Sequence, residues 1–318
     1  FTLGNLGMAF NLYQGSGTLT SFTLGVGYSK LADFNTTSAA YGQGIDKSIT
    51  DVLAEYMNGV PLSSLGHPDN DPYQPFRRAD VGLWGGILAY QTGILDPMSD
   101  AQDNKQYTVA NNLATGSRTN PSMRNVNKGS IDEYSISGGF NIQNILYLGF
   151  TIGIQDILYR NDNYYAETYD NNSLPLNGMN YIRSLHLDGT GVNFKFGAVV
   201  RPVENLRIGV AVHTPTLVSI NEEYIEWMSA DYKNTARGEL LDSPRSLNEY
   251  DINTPTRLLT GISYTLPGVG LITADYERVW YNRMKLRNMG TENWDFQQTI
   301  NNEVSSFYQP ANNFRVGI

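Results

Sequence analysis

From Gly191 to Val212 the chain alternates. Val192, Phe194, Phe196, Ala198 and Val200 interleave with Asn193, Lys195, Gly197, Val199 and Arg201. A turn at Pro202-Val203-Glu204-Asn205 follows. Leu206, Ile208, Val210 and Val212 then interleave with Arg207, Gly209, Ala211 and His213. A period of two predicts strands with every apolar side chain on one face. The other face carries Lys195, Arg201, Arg207 and His213, which an apolar core accepts only when paired. Two hosts fit such a hairpin: one half of a soluble sheet, or the wall of a membrane barrel.

The rhythm recurs at Met8-Phe10-Leu12, Phe22-Leu24-Val26-Tyr28, Tyr134-Ile136-Gly138-Phe140, Leu146-Leu148-Phe150-Ile152, Leu258-Thr260-Ile262-Tyr264, Ile272-Ala274-Tyr276 and Phe314-Val316-Ile318. About nine strands follow from this count. Short turns fall near 13–20, 142–145, 201–205 and 266–269, the last a Pro-Gly step. Long connections are expected at 32–130, 157–185, 214–250 and 286–311. Alternating short and long connections are the habit of outer-membrane barrels, with tight turns at one end and extended loops at the other. A soluble sandwich spaces its strands more evenly. The expected fold is therefore all-β: a transmembrane antiparallel β-barrel forming one domain over 1–318, with residues 32–130 as a long extracellular insertion. The chain starts and stops inside strand patterns, so it reads as a barrel incomplete at both ends.

Helical spacing appears only in the long connections. Ile49, Val52, Leu53, Tyr56 and Met57 predict a short amphipathic helix capped by Asp46 or Ser48. Phe296, Ile300, Val304 and Phe307 predict another, ending before Pro310. Leu83-Trp84, Ile87-Leu88 and Ile94-Leu95 form a third apolar patch.

Composition narrows the picture. No run of ~20 apolar residues exists to make a transmembrane helix. The absence of cysteine excludes disulfides, thiolate metal sites and cysteine nucleophiles. A net charge of −9 with no basic cluster argues against nucleic acid as a partner. The 21 tyrosines suit interfaces where one end of a ring is dry and the other wet.

Several segments resemble the FadL-type outer-membrane transporters of hydrophobic compounds, in their Bacteroidetes-like branch. They are the strand running into Thr214-Pro215-Thr216, the run Thr254-Pro255-Thr256-Arg257-Leu258-Leu259-Thr260-Gly261, Ala274-Asp275-Tyr276-Glu277, and Asn312-Asn313-Phe314-Arg315-Val316-Gly317. The resemblance implies a monomeric fourteen-stranded barrel with an N-terminal hatch, in the outer membrane of a Gram-negative bacterium. It would take up long-chain fatty acids or similar molecules by loop capture, lumen binding and lateral diffusion, with no cofactor and no enzymatic step. The hatch and the last strands of that family are not matched here. A docking or shuttle role in a secretion machine and a general porin are the alternatives.

Two candidate sites follow. Ile49, Leu53, Met57, Trp84, Ile87 and Leu88 would line a groove for a hydrophobic ligand, or else pack on one another over the barrel mouth. Lys195, Arg207, His213 and Arg257 would offer a cation to a ligand carboxylate, or else pair with Asp275, Glu277 and similar residues. Gly25 and Gly27 mark either a kink in the wall or close packing. His67, His186 and His213 stand singly, without the spacing of haem ligands. No serine elbow, phosphate loop or zinc motif is present. Asp69-Asn70-Asp71 lacks the remaining positions of a calcium loop.

Overall fold

The computed structural model describes residues 3–65, 71–109, 118–170, 175–233, 240–290 and 293–318. Among them 61% of the chain is strand and 15% helix, in a large antiparallel sheet of 14 strands curled into a half-barrel. Nine strands follow one another across the sheet: β1 (Asn5–Gln14), β2 (Leu19–Asp33), β6 (Thr119–Ile142), β7 (Leu146–Tyr169), β8 (Leu176–Val203), β9 (Leu206–His213), β13 (Arg257–Leu266), β14 (Gly270–Val279) and β16 (Ala311–Gly317). Five more attach to this path. β3 (Thr36–Tyr41) continues the line of β2 along β6. β10 (Leu217–Tyr232) continues β9 along β8, and carries β11 (Leu241–Asp242) and β12 (Ser246–Asn253). β15 (Lys285–Arg287) pairs with β12. A separate two-stranded ribbon joins β4 (Leu95–Pro97) to β5 (Tyr107–Val109).

The short turns lie where the alternation breaks. Gln143 and Asn144 both have positive φ, 53° and 60°, at the centre of the tight turn that the Ile145 amide closes on the Ile142 carbonyl at 3.0 Å. Gly268, after Pro267, takes φ +74° in the β13–β14 turn. At the opposite end the expected long loops at 157–185 and 214–250 are largely strand. β6 and β7 run for 24 residues and β8 for 28, roughly 90 Å at ~3.3 Å per residue. Alternation continues there, but with polar residues on both faces, so it gave no amphipathic signal. The insertion 32–130 likewise begins and ends in paired strand, and its helices occupy only its middle.

The apolar positions of the lower sheet point outward and are bare. Phe194 is 43% exposed, Phe196 54% and Val316 77%. Cross-strand register lines them up in rows, such as Phe10–Leu24–Gly138–Phe150–Phe196–Val212–Leu258. Gly138 makes room for the Phe150 ring, which a Cβ would meet at 2.4 Å. No second protein layer covers this belt among the described residues. On β8 it runs from Val192 to Val200, close to the ~9–11 residues that a tilted strand needs to cross a hydrocarbon core. The inner face is small and polar, with Gly25, Gly139, Gly149, Gly197, Ala211 and Gly261 between charged rows.

The buried core lies elsewhere. α1 (Ile49–Met57), α2 (Gln74–Arg77) and α3 (Trp84–Gln91) pack against the inner face of the upper parts of β8 and β10. The Ser48 side chain accepts from the Thr50 amide, and Asp51 closes a capping box. Glu167 of β7, fully buried, takes the Ile49 amide at 2.7 Å and hydroxyl donors from Ser48, Tyr165 and Tyr169. A carboxylate at a helix N-terminus also meets the positive end of the helix dipole. Glu226 of β10, 3% exposed, accepts from Tyr181 and Tyr224. Glu167 thus ties the start of α1 to β7, while Glu226 joins β8 and β10 beneath the cap.

α4 (Trp294–Phe307) forms where its spacing predicts. It docks through polar rather than apolar residues. Asn301 bonds both the amide and the carbonyl of Leu286, at 2.8 and 2.9 Å, while Phe296 and Phe307 stay exposed.

Candidate functional site

Register places Lys195, His213 and Arg257 directly opposite one another on β8, β9 and β13. They form one row on the inner face, bounded by Thr151 of β7 and Val279 of β14. Three cationic or potentially cationic groups side by side need anions. Glu133 of β6, 5% exposed, receives the Lys195 ammonium. It also accepts from Gln155 and Asn193, each at 3.1 Å. Glu277 of β14 receives Arg315 at 2.8 Å and Arg257 at a looser 3.8 Å. Arg315 therefore holds Glu277 most firmly, and Arg257 keeps donor capacity to spare. The His213 side chain makes no hydrogen bond among the described residues.

Lys195, His213, Arg257, Glu133, Gln155 and Asn193 line a cavity of about 360 Å³. Its remaining walls are Leu31, Thr214, Thr216, Thr254 and Pro255. The Asn193 amide donates to Glu133 and to Thr216, while its buried oxygen has no hydrogen-bond partner. An unsatisfied buried acceptor costs ~1–3 kcal/mol, so the site is poised for a donor. Gly153, opposite Asn193, is needed here: a Cβ would meet the Asn193 oxygen at 2.7 Å and Glu133 at 2.9 Å.

Of the four expected head-group residues, Lys195, His213 and Arg257 come together and Arg207 does not. Arg207 lies near the short-turn end, exposed, opposite Ser263. Arg201 sits near the end of β8 and donates to the Glu204 carbonyl. The six residues expected to line a loop groove are also brought together, but as packing. Leu53, Met57, Trp84, Ile87 and Leu88 are buried, Met57 and Leu88 completely, and Ile49 packs partly buried against them. Trp84 meets Phe76 edge-on at 5.8 Å and lies near Tyr224 at 6.3 Å. They form the core of the cap, and among the described residues these side chains leave no open groove between them.

The ladder runs unbroken through Gly25 and Gly27, so neither marks a gap. His186 lies on the upper part of β8, in register with Arg160 and Glu223, away from His213. His67, Asp69 and Asn70 lie outside the described residues. Among the described residues no group of three or more His, Asp or Glu side chains is placed to hold a metal ion.

Sequence reasoning missed Glu133, Gln155, Asn193, Thr216 and Thr254. Parity was the available signal for the first three, since Glu133 shares a face with Ser135 and Ser137 below it. Comparison of the chain with family models, curated proteins and solved structures gives no match.

Proposed function

We propose that this chain is an outer-membrane β-barrel of the FadL type that takes up a hydrophobic molecule bearing a polar head. The observation that carries the reading is the belt from Val192 to Val200 and its neighbours: bare apolar side chains outside, small and polar side chains inside. Water would make such a face an aggregation surface, whereas lipid makes it the ordinary outside of a barrel. The inner cavity supplies the complementary half. A ligand carboxylate would meet His213 and the loosely held Arg257, and a hydroxyl or amide donor would meet Asn193. The tail would lie along the small-residue floor at Gly149, Gly197 and Ala211. Burial of each methylene is worth about 0.8 kcal/mol, and this drives capture without an energy source. Capture is assigned to this cavity rather than to the cap, whose apolar residues are spent on packing.

The test is binding of a dansylated undecanoic acid to the protein in lipid vesicles, followed by fluorescence. Arg257→Gln is expected to weaken binding roughly tenfold, about 1.4 kcal/mol. Equal affinity in both proteins would remove the cavity from the argument. One observation favours a second reading. The upper strands project far beyond the belt and carry a well-packed cap, which suits a docking platform for another protein. Absence of any probe binding, together with an intact cap, would favour that role.

A further inference from the structure

One outer row of the belt ends in charge. It runs from Phe10 through Phe196, Val212 and Leu258, and register continues it to Arg278 on β14 and Asn312 on β16. From Arg278 to Arg287 the chain carries four cations, Arg278, Arg283, Lys285 and Arg287, and no carboxylate, although its net charge is −9. Lys285 lies opposite Asn253, Asn253 opposite Leu217, and Leu217 opposite Val192 of the belt. Lys285 and Arg287 therefore share the outer face with Arg278, at the end of the belt nearest the cap.

The protein does not neutralise these groups. None of the four joins an ion pair among the described residues. Glu277, next to Arg278 in sequence, turns inward to Arg315 and Arg257. Asp251, opposite Arg287, accepts from Ser219 at 2.7 Å and from the Asn288 amide. Two of the cations are nevertheless held in place. The guanidinium groups of Arg278 and Arg283 each lie 5.5 Å from the centre of the Trp280 ring. Stacking on an aromatic face fixes a guanidinium without consuming its N–H donors. Arg278 Nε is buried and has no hydrogen-bond partner. An oriented guanidinium with free donors suits an oxyanion that accepts two bonds at once.

We propose that Arg278, Arg283 and Lys285, arranged around Trp280, bind the phosphate of a membrane-lipid headgroup. The lipid is chosen over a soluble anion because the cations continue the apolar face. Tyr276 and Phe314, opposed in register and stacked at 4.9 Å, lie on that face one pair below Arg278 and Asn312. Acyl chains would rest on these rings while the phosphate stands at the level of the cations. Tryptophan is at home at such a boundary, and clustered basic residues there select anionic headgroups. The site rests on the membrane reading of the belt and is independent of uptake.

The chain has no cysteine, so one introduced thiol carries one fluorophore. Phe314→Cys places it beneath the cations, and Phe10→Cys places it on the same outer face at the far end of the row. Each protein is put into phosphatidylcholine vesicles containing either phosphatidic acid or phosphatidylcholine with a doxyl quencher on the acyl chain. From the Phe314→Cys label, phosphatidic acid is expected to quench roughly threefold or more above phosphatidylcholine, since each cation near a membrane surface enriches an anion about fivefold. From the Phe10→Cys label the two lipids should quench alike. Arg278→Gln with Arg283→Gln should abolish the preference at the Phe314→Cys label and leave quenching by phosphatidylcholine as it was, which also shows that the variant is folded in the bilayer. Equal quenching by both lipids at both labels, or a preference that survives the double substitution, would overturn the site and leave the belt in lipid. Loss of the preference on adding excess inorganic phosphate would assign the cations to a soluble anion and overturn the lipid assignment. No quenching at either label would refute the membrane reading itself.

Discussion

Below Val192, β8 turns Phe194 and Phe196 away from the barrel interior and keeps Asn193 and Lys195 inside. Above that level the same strand does the reverse. Met179 and Tyr181, on the inner face, are buried under α1 and α3, while Asn180 on the outer face is exposed. No bulge separates the two regions on the β7 side of β8, where the register is continuous from Leu146 to Thr168. The strand is one object in two surroundings. In the belt the apolar face points outward and is exposed, and small residues leave space inside. In the upper part the apolar face looks inward, and the cap fills the space with Leu, Met, Ile and Trp. Hydrophobic patterning reports the solvent on each side rather than the fold alone.

The cap side of the contrast breaks hardest. Leu88 is completely buried among the helices. Leu88→Ala is expected to destabilise the cap by ~2–5 kcal/mol, the transfer loss plus a cavity. Limited proteolysis of residues 49–109 should accelerate, while the protease resistance of the belt stays as it was. Loss of both together would mean that cap and belt fold as one unit.

The belt side breaks next. Phe196→Arg puts a cation in the middle of the outer rows. Folding into vesicles from denaturant is expected to lose ~2–4 kcal/mol, as for charges at a bilayer midplane. An unchanged folding free energy would mean that no hydrocarbon meets this face.

Proton linkage separates the two regions more gently. Burial pushes the carboxyl of Glu226 above the usual carboxylate range, against the pull of Tyr224, Tyr181 and the more distant Arg183. The protonated acid supports the cap fully below the ordinary carboxylate pKa. That support is lost as pH rises through the raised value. Trp84, close to Tyr224, reports the change, so the midpoint of cap unfolding followed by Trp84 fluorescence should fall with rising pH. Glu226→Gln should flatten the dependence. An upward trend with pH would invert the assignment of the neutral form.

The belt was legible because each of its strands alternates, with apolar side chains at most positions of the outer face. The tight turns were legible through Asn144, Gly268 and their neighbours. The upper strands were not. Asn161 donates to both Asn125 and Asn127 there, and a polar residue on each face erases the period-two signal. The helices at Ile49 and Phe296 were visible by spacing, but not what they would touch. Met57 and Leu88 share one buried cluster with Tyr181 and Met228, from strands more than 90 residues away, and no local pattern announces that packing. The site was half legible for the same reason. Parity put Lys195, His213 and Arg257 on one face, but only register could show that they are neighbours and that Arg207 is not.

Arg207 gives the mildest and the sharpest comparison within the belt. It shares a face with His213 on β9, six residues nearer the short turns, and no carboxylate pairs with it among the described residues. Substitution at an exposed site without partners changes stability by less than ~0.5 kcal/mol. Arg207→Gln is therefore expected to fold as the parent does and to bind the dansylated undecanoic acid with the parent's affinity. Arg257→Gln, in the cavity, weakens it. Both variants remove one positive charge from the same inner wall, so a long-range field would affect them alike and salt would abolish the loss in both. A head group held in the cavity affects only Arg257, and salt then reduces the loss without equalising the two. Equal weakening would place the polar end of the ligand lower in the barrel, near the β8–β9 turn, and would leave the row at Lys195 and His213 as internal pairing of the wall.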